Sequence, residues 1–293
     1  MKTHLSGIIP LANYETDIEV GFPEFLLPAQ NGFSLIQKSV FECAMAGCDT
    51  IWIVANEDLA PITRKIIGDW VYDPVYFKRD LASKFYTELR KEVPIYYVGI
   101  HPKDRDRRDS YGWSILQGIY TAYKTSYSMS KWLIPEKYFI SFPFAVYDPY
   151  QLREYRKQIR DKNKNFFLKH NNNTVKSNIQ LPFTMTGEDF KLCRRAVNQK
   201  TTREYLPPLP DQQYPNQKLP LQERWSARTF KLEDIFNGVN EKSANYCELG
   251  WFYDISRWEN YCEYINSEYT IKKPLEALTK PHKHVKIPYT LGD

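Results

Sequence analysis

Asn31–Val54 reads NGFSLIQKSVFECAMAGCDTIWIV, and this stretch decides the fold class. Leu35, Ile36, Val40, Cys43 and Ala44 recur at helical spacing, which predicts a helix over Ser34–Ala46 with one apolar face. Gly47 is placed to end it, because glycine adopts the left-handed C-cap conformation without a Cβ penalty. Asp49–Ala55 (DTIWIVA) is then a nearly continuous apolar run. Such a run predicts a strand covered on both faces, as in parallel sheets.

The same alternation extends both ways. Upstream, Leu5–Leu11 (LSGIIPL) reads as a short buried strand running into a polar loop, Ala12–Phe22. Downstream, Pro61–Trp70 reads as a helix, Pro94–Ile100 as a strand, and Ser110–Tyr123 as a loop entering a helix. Tyr138–Phe144 is the next strand, and Asp148–Arg160 a helix opened by an Asp–Pro pair. Strand and helix in turn across residues 1–160 predict an α/β core: a doubly wound, mostly parallel sheet with helices on both faces. Right-handed crossovers would put the ligand crevice at the carboxyl ends of its strands.

After Arg160 the texture changes. Asp161–Gln180 is polar, and Leu206–Pro220 (LPPLPDQQYPNQKLP) is Pro-rich; both read as insertions. Helices are expected over Gly187–Val197, Thr229–Phe236 and Arg257–Ser267, so residues 161–293 read as an accessory lobe completing the same domain. The Pro-rich segment is expected to be an ordered strap, since proline arrives with φ already fixed. It would bury Leu206, Leu209, Tyr214, Leu219 and Leu221 against the core, or against a second copy in a homo-oligomer.

Composition narrows the class. With 293 residues, 42% hydrophobic and 26% charged, the chain can bury a core without disulfide or metal staples. A net charge of +5 and a pI near 8.7 suit a phosphate-bearing ligand and do not point to nucleic acid. Aromatics reach 15%, with 22 Tyr, which fits either a ring-lined cleft or a packing layer. The five cysteines form no CxxC and no zinc spacing, so a reducing, cytoplasmic setting is expected. No apolar run is long enough to span a membrane, and the apolar part of MKTHLSGIIPLANYE is too short for a signal segment. Neither a Walker loop nor a Ser/His/Asp arrangement is found.

The order IIPLA, NYETDIEVGF, PEFLLPAQNGFSLIQKSVFECAMAGCDTIWIV resembles the sugar-phosphate nucleotidyltransferases of GT-A type. In that family a strand ending in Leu-Ala leads to a phosphate-binding loop, a Pro-Lys pair, a Leu/Pro-rich turn and a helix. SYGWSILQGIYTAY resembles the family's base-holding loop and helix, and GWFYDISRWENYCEYI its late Trp-x-Asp element. The resemblance implies transfer of a nucleotidyl group from a nucleoside triphosphate to a sugar phosphate, with Mg²⁺. It implies nucleotide contacts at Leu11, Ala12, Asn13, Ser110, Tyr111, Gly112 and Trp113 and a metal or sugar contact at Asp254, with Asp148, the nearest carboxylate to the family's other metal position, as the second metal candidate. Lys103 and the catalytic candidates Arg105, Arg107 and Arg108, in HPKDRDRRDSYGW, would neutralise phosphate; a solvated, self-paired loop is the plainer reading of that cluster.

Three positions depart from the family. Its glycine-rich, Arg-bearing loop is replaced by one carrying Glu15, Asp17 and Glu19; its Lys after Pro is Glu24; its metal-binding Gly-Asp falls on Pro143–Phe144. Besides nucleotidyl transfer, two readings therefore stay open. One is a glycosyltransferase taking a nucleotide-sugar, with Asp104 and Asp106 as the metal pair. The other is a catalytically silent binding or structural module. Convergence of Asp104, Asp106, Asp148 and Asp254 on one cleft would favour an enzyme. Asp254 also sits where it could cap the following helix.

Overall fold

The computed structural model of the chain describes residues 3–75, 91–101, 104, 110–201, 206–218 and 230–274. Its centre is β1 (Leu5–Pro10), buried at every position. Alternate residues feed two cores: Leu5 and Ile9 face one, Ile8 the other. The next main strand, β4 (Thr50–Val54), divides its side chains the same way, Ile51 and Ile53 against Trp52 and Val54. Two-sided burial is why both read as apolar runs.

Between them lie a small hairpin, β2 (Pro28–Gln30) and β3 (Phe33–Ser34), and helix α1 (Leu35–Ala46). Ser34 and Gln37 form a reciprocal capping box at the start of α1. Gly47, at φ 87°, ends it as expected. Helix α2 (Ala60–Ile67) stops at Gly68, so Trp70 begins strand β5 (Trp70–Tyr72) rather than closing a longer helix. Then come β6 (Glu92–Val98), α3 (Tyr111–Met129) and β7 (Lys137–Ile140). Strand β7 is shorter than its apolar run, because the chain turns away before Pro143, whose nitrogen could not serve a ladder.

A two-residue strand, β8 (Ala145–Val146), precedes α4 (Gln151–Ile159), β9 (Phe166–Lys169), β10 (Phe183–Thr186) and α5 (Gly187–Thr201). Last are α6 (Leu232–Phe236), β11 (Asn245–Glu248), β12 (Tyr253–Asp254) and α7 (Trp258–Asn266). The main sheet has eight strands in the order β11-β9-β10-β7-β1-β4-β6-β5. Strands β7, β1, β4 and β6 are mutually parallel, β10 runs against β7 and β9, and β5 runs against β6. The fold is thus the expected mostly parallel α/β sheet, with β9, β10 and β11 extending that sheet beyond residue 160.

The Pro-rich segment does not strap onto the core of its own chain. Within its described part, Leu206, Leu209 and Tyr214 are 39%, 56% and 74% exposed. The chain instead doubles back on itself, with the Leu206 N–H donating to the Gln217 carbonyl. Leu219 and Leu221 lie outside the described residues. Proline fixes φ but supplies no apolar partner, and here the leucines find none.

Candidate functional site

At the carboxyl end of β1 the chain stays tied to the sheet for two residues and then turns out. The Leu11 N–H donates to the Val54 carbonyl at 2.7 Å, and Leu11 and Ala12 are buried. Asn13, at φ 60°, breaks away from the strand. The start of α3 meets this corner: Ser114 Oγ donates to the Ala12 carbonyl at 2.8 Å, and Asn13 Nδ2 donates to Ser114 Oγ at 3.4 Å. Ser110 caps α3 by accepting the Trp113 N–H. Gly112 lies close to α6: a Cβ there would stand 2.5 Å from Ile235 Cδ1, which would have to turn aside.

A cleft of about 570 Å³ opens at this corner. Among the expected contacts it brings together Asn13, Ser110, Tyr111 and Asp254. Leu11 and Ala12 lie behind it and shape its floor through backbone bonds. Trp113 is a correction: its side chain is only 2% exposed, in the core that holds Ile8 and Val54, and it does not line the cleft. Two residues past Tyr111, about 200° around the helix, its ring turns inward. Gly112 is likewise buried against α6 rather than lining the cleft.

Asp148 is also separated from the cleft. Its Oδ1 accepts the Tyr150 N–H at 3.0 Å, so the carboxylate serves the turn into α4. Asp104 is not in the lining either, while Lys103, Arg105, Asp106, Arg107 and Arg108 lie outside the described residues. Asp254 does not cap α7, whose N-cap is Arg257; its Oδ1 accepts the Ser256 N–H at 3.1 Å. That helix receives a carboxylate from elsewhere: Asp17 Oδ1 accepts the Trp258 N–H at 2.6 Å, and Thr16 Oγ1 donates to the Ser256 carbonyl. The acidic loop after β1 is thereby stitched to α7, along one wall of the cleft.

Among the lining residues that escape the sequence reading are Asn178, Gln180, Lys231 and Arg257. The first two sit at the end of the polar stretch read as an insertion. Gln180 Oε1 is shielded from solvent with no hydrogen-bond partner among the described residues, an acceptor at the cleft's edge. The charged lining is therefore mixed, with Glu15, Asp17 and Asp254 against Lys231 and Arg257.

Two of the three departures from the family pattern meet on one residue. Tyr14 OH donates to Glu24 Oε2 at 2.5 Å, and the Tyr14 ring packs 4.9 Å from that of Phe144. Burial, helped by Glu24, pushes the Tyr14 phenol well up and keeps its proton on. Burial raises Tyr111 as well, with the Asp254 charge adding, and its hydroxyl donates to the Pro10 carbonyl at 3.4 Å. Among the described residues, no group of three or more His, Cys, Asp or Glu could hold a metal.

The chain matches no known protein family, and no curated protein matches it. Solved structures do. One is assigned as a glucose-1-phosphate thymidylyltransferase from Bacillus anthracis, in complex with sucrose. It aligns at a TM-score of 0.53 and 11% identity over 92% of this chain and 98% of that one. Another is a UDP-glucose pyrophosphorylase complexed with UDP-glucose, at 0.51 and 13% over 90% and 98%. The fold is that of the sugar nucleotidyltransferases. At these identities the likeness speaks for the fold. No described helix is long and apolar enough to cross a membrane.

Proposed function

We propose that the cleft binds a nucleoside triphosphate and that the chain transfers its nucleotidyl group to a sugar phosphate or similar phosphorylated acceptor. The carrying observation is the meeting of Asn13, Ser110, Tyr111 and Asp254, three distant segments, at the carboxyl end of β1. Asn13, Ser110 and Tyr111 would hold the nucleotide. An acceptor phosphate oxygen would attack the α-phosphorus as its bond to the β-phosphate oxygen breaks, releasing pyrophosphate. Lys231 and Arg257 of the cleft, with Arg105, Arg107 and Arg108, would offset the phosphate charge.

Mg²⁺ fits in one mode only. It is commonly held by one or two carboxylates, the substrate phosphates and water. Asp254 offers such a carboxylate at the cleft, and Asp148 does not. When bound, the ion would neutralise charge on the pyrophosphate that leaves.

A specific observation favours a second reading, a silent binding module. Glu24, held by Tyr14, stands where the resemblance puts a cation, and an acidic group there opposes transition-state charge. One experiment separates the two. Purified protein is mixed with Mg²⁺, each of five nucleoside triphosphates and a panel of sugar 1-phosphates, and followed by pyrophosphate release and thermal shift. Turnover supports the enzyme. A thermal shift without turnover supports the silent module, and neither response overturns nucleotide binding itself.

A further inference from the structure

Helix α1 buries an ion pair, and the transfer chemistry above makes no use of it. Lys38 and Glu42 are both completely inaccessible, with Lys38 Nζ 2.8 Å from Glu42 Oε1. Burial pulls the lysine down and pushes the glutamate up, and each partner opposes the other's shift. A buried pair is often no more stabilising than apolar residues of the same volume. Its presence inside a largely apolar, buried helix asks what else the two groups hold.

They hold a turn. Lys38 Nζ also donates to the Phe142 carbonyl at 3.3 Å and to the Ala145 carbonyl, so its three protons have three acceptors. Glu42 Oε2 accepts from Ser141 Oγ at 2.5 Å. The segment Ser141–Val146 is where the chain leaves β7 and crosses to β8.

The far side of that turn touches two segments that line the cleft. Ala145 pairs with Asp254 in the short β8–β12 ladder, and the Phe144 carbonyl accepts the Ile255 N–H at 2.9 Å. The Phe142 ring lies 5.7 Å from that of Tyr111. A single ammonium thus holds the turn whose backbone pairs with Asp254 and whose Phe142 ring packs against Tyr111.

We propose that Lys38 is a positioning residue for the cleft, clamping Ser141–Val146 from inside the core and so setting where Asp254 and Tyr111 stand. This rests on the nucleotide-binding reading of the cleft. The test replaces both charges together, Lys38→Met with Glu42→Leu, so that neither is stranded. The probe is UTP or dTTP, whichever the wild type binds more tightly, titrated with and without Mg²⁺. In the folded variant, the Ile255 amide is expected to exchange about tenfold faster relative to the β4 amides. The gain in nucleotide affinity that Mg²⁺ confers disappears, while metal-free binding remains. General loosening would instead speed β4 exchange and weaken both bindings alike.

Unchanged Ile255 protection overturns the proposal, as does faster exchange with the Mg²⁺ gain intact. If the variant does not fold, wild-type exchange decides: Ile255 protected to within about tenfold of β4 supports the clamp, and loop-like exchange overturns it. A wild type that binds neither nucleotide defeats the functional reading, and Ile255 exchange in the variant then still shows whether Lys38 sets the Asp254 segment.

Discussion

The two ends of the parallel strands treat charge in opposite ways. At the amino end, Asp49 is bonded by Lys91 and by Arg160, each at 2.8 Å, and accepts the Leu5 N–H. Arg160 also reaches the Gly47 and Thr3 carbonyls, and Arg156 grips buried Asp73 with both terminal nitrogens. At the carboxyl end, Glu15, Asp17, Asp254, Lys231 and Arg257 share a cleft, yet no ion pair joins any of them among the described residues. Charges at the first end are consumed by the fold. Those at the second meet backbone N–H groups at Asp17 and Asp254 and form no ion pair with one another among the described residues.

The contrast breaks most visibly at Arg156. Arg156→Ala strands Asp73 in the core and should cost about 3 kcal/mol of unfolding free energy, measured by urea denaturation at pH 7. A loss below about 1 kcal/mol would mean that the amino-end charges are ornamental.

Asp254→Asn should do the reverse. Asparagine retains an oxygen for the Ser256 N–H, so stability should hold within about 0.5 kcal/mol. Affinity for a nucleoside triphosphate with Mg²⁺ should fall about tenfold, or about 1.4 kcal/mol, by calorimetry. Equal affinity would remove Asp254 from the site.

Acid titration sharpens the amino end further. Burial pushes the Asp49 carboxyl up, but Lys91 and Arg160 outweigh it and hold it below its usual range. The folded value is the lower one. Its contribution is therefore complete above the unfolded value of about 4 and lost as pH falls through the folded one. Wild type should lose more stability than Asp49→Asn on going from pH 5 to pH 3, by under about 1 kcal/mol. Parallel curves would refute this.

The smallest effect belongs to the Pro-rich excursion. Leu209→Ser and Tyr214→Ser should each stay within about 0.5 kcal/mol of wild type, because neither side chain is buried. A larger loss would restore the strap.

What the sequence discloses follows from dimension. Helix α1 and strands β1 and β4 are legible because their signals are local: a period of apolar residues, a cap, a left-handed glycine. Strand β8 and its partner β12 are illegible, being two residues each and held together by a contact across the fold. The same holds for the cleft. Asn13, Ser110, Tyr111 and Asp254 could be placed by ordered resemblance, whereas Gln180 and Lys231 enter it only because β10 and α6 pack beside it. Trp113 and Asp148 mislead for a related reason. Sequence proximity to a site says nothing of which way a helix turns a ring, or of which backbone N–H claims a carboxylate.

The position of β1 has a consequence in time. It is the first strand made and lies in the middle of the sheet, flanked by β4 and β7. Leu5 waits for Lys137 to complete that second edge. Ribosomes add roughly 5–20 residues per second, so the seed of the sheet stays open on one side for several seconds or more. Nascent LSGIIP, largely apolar and without charge, leaves an unpaired edge open in that interval.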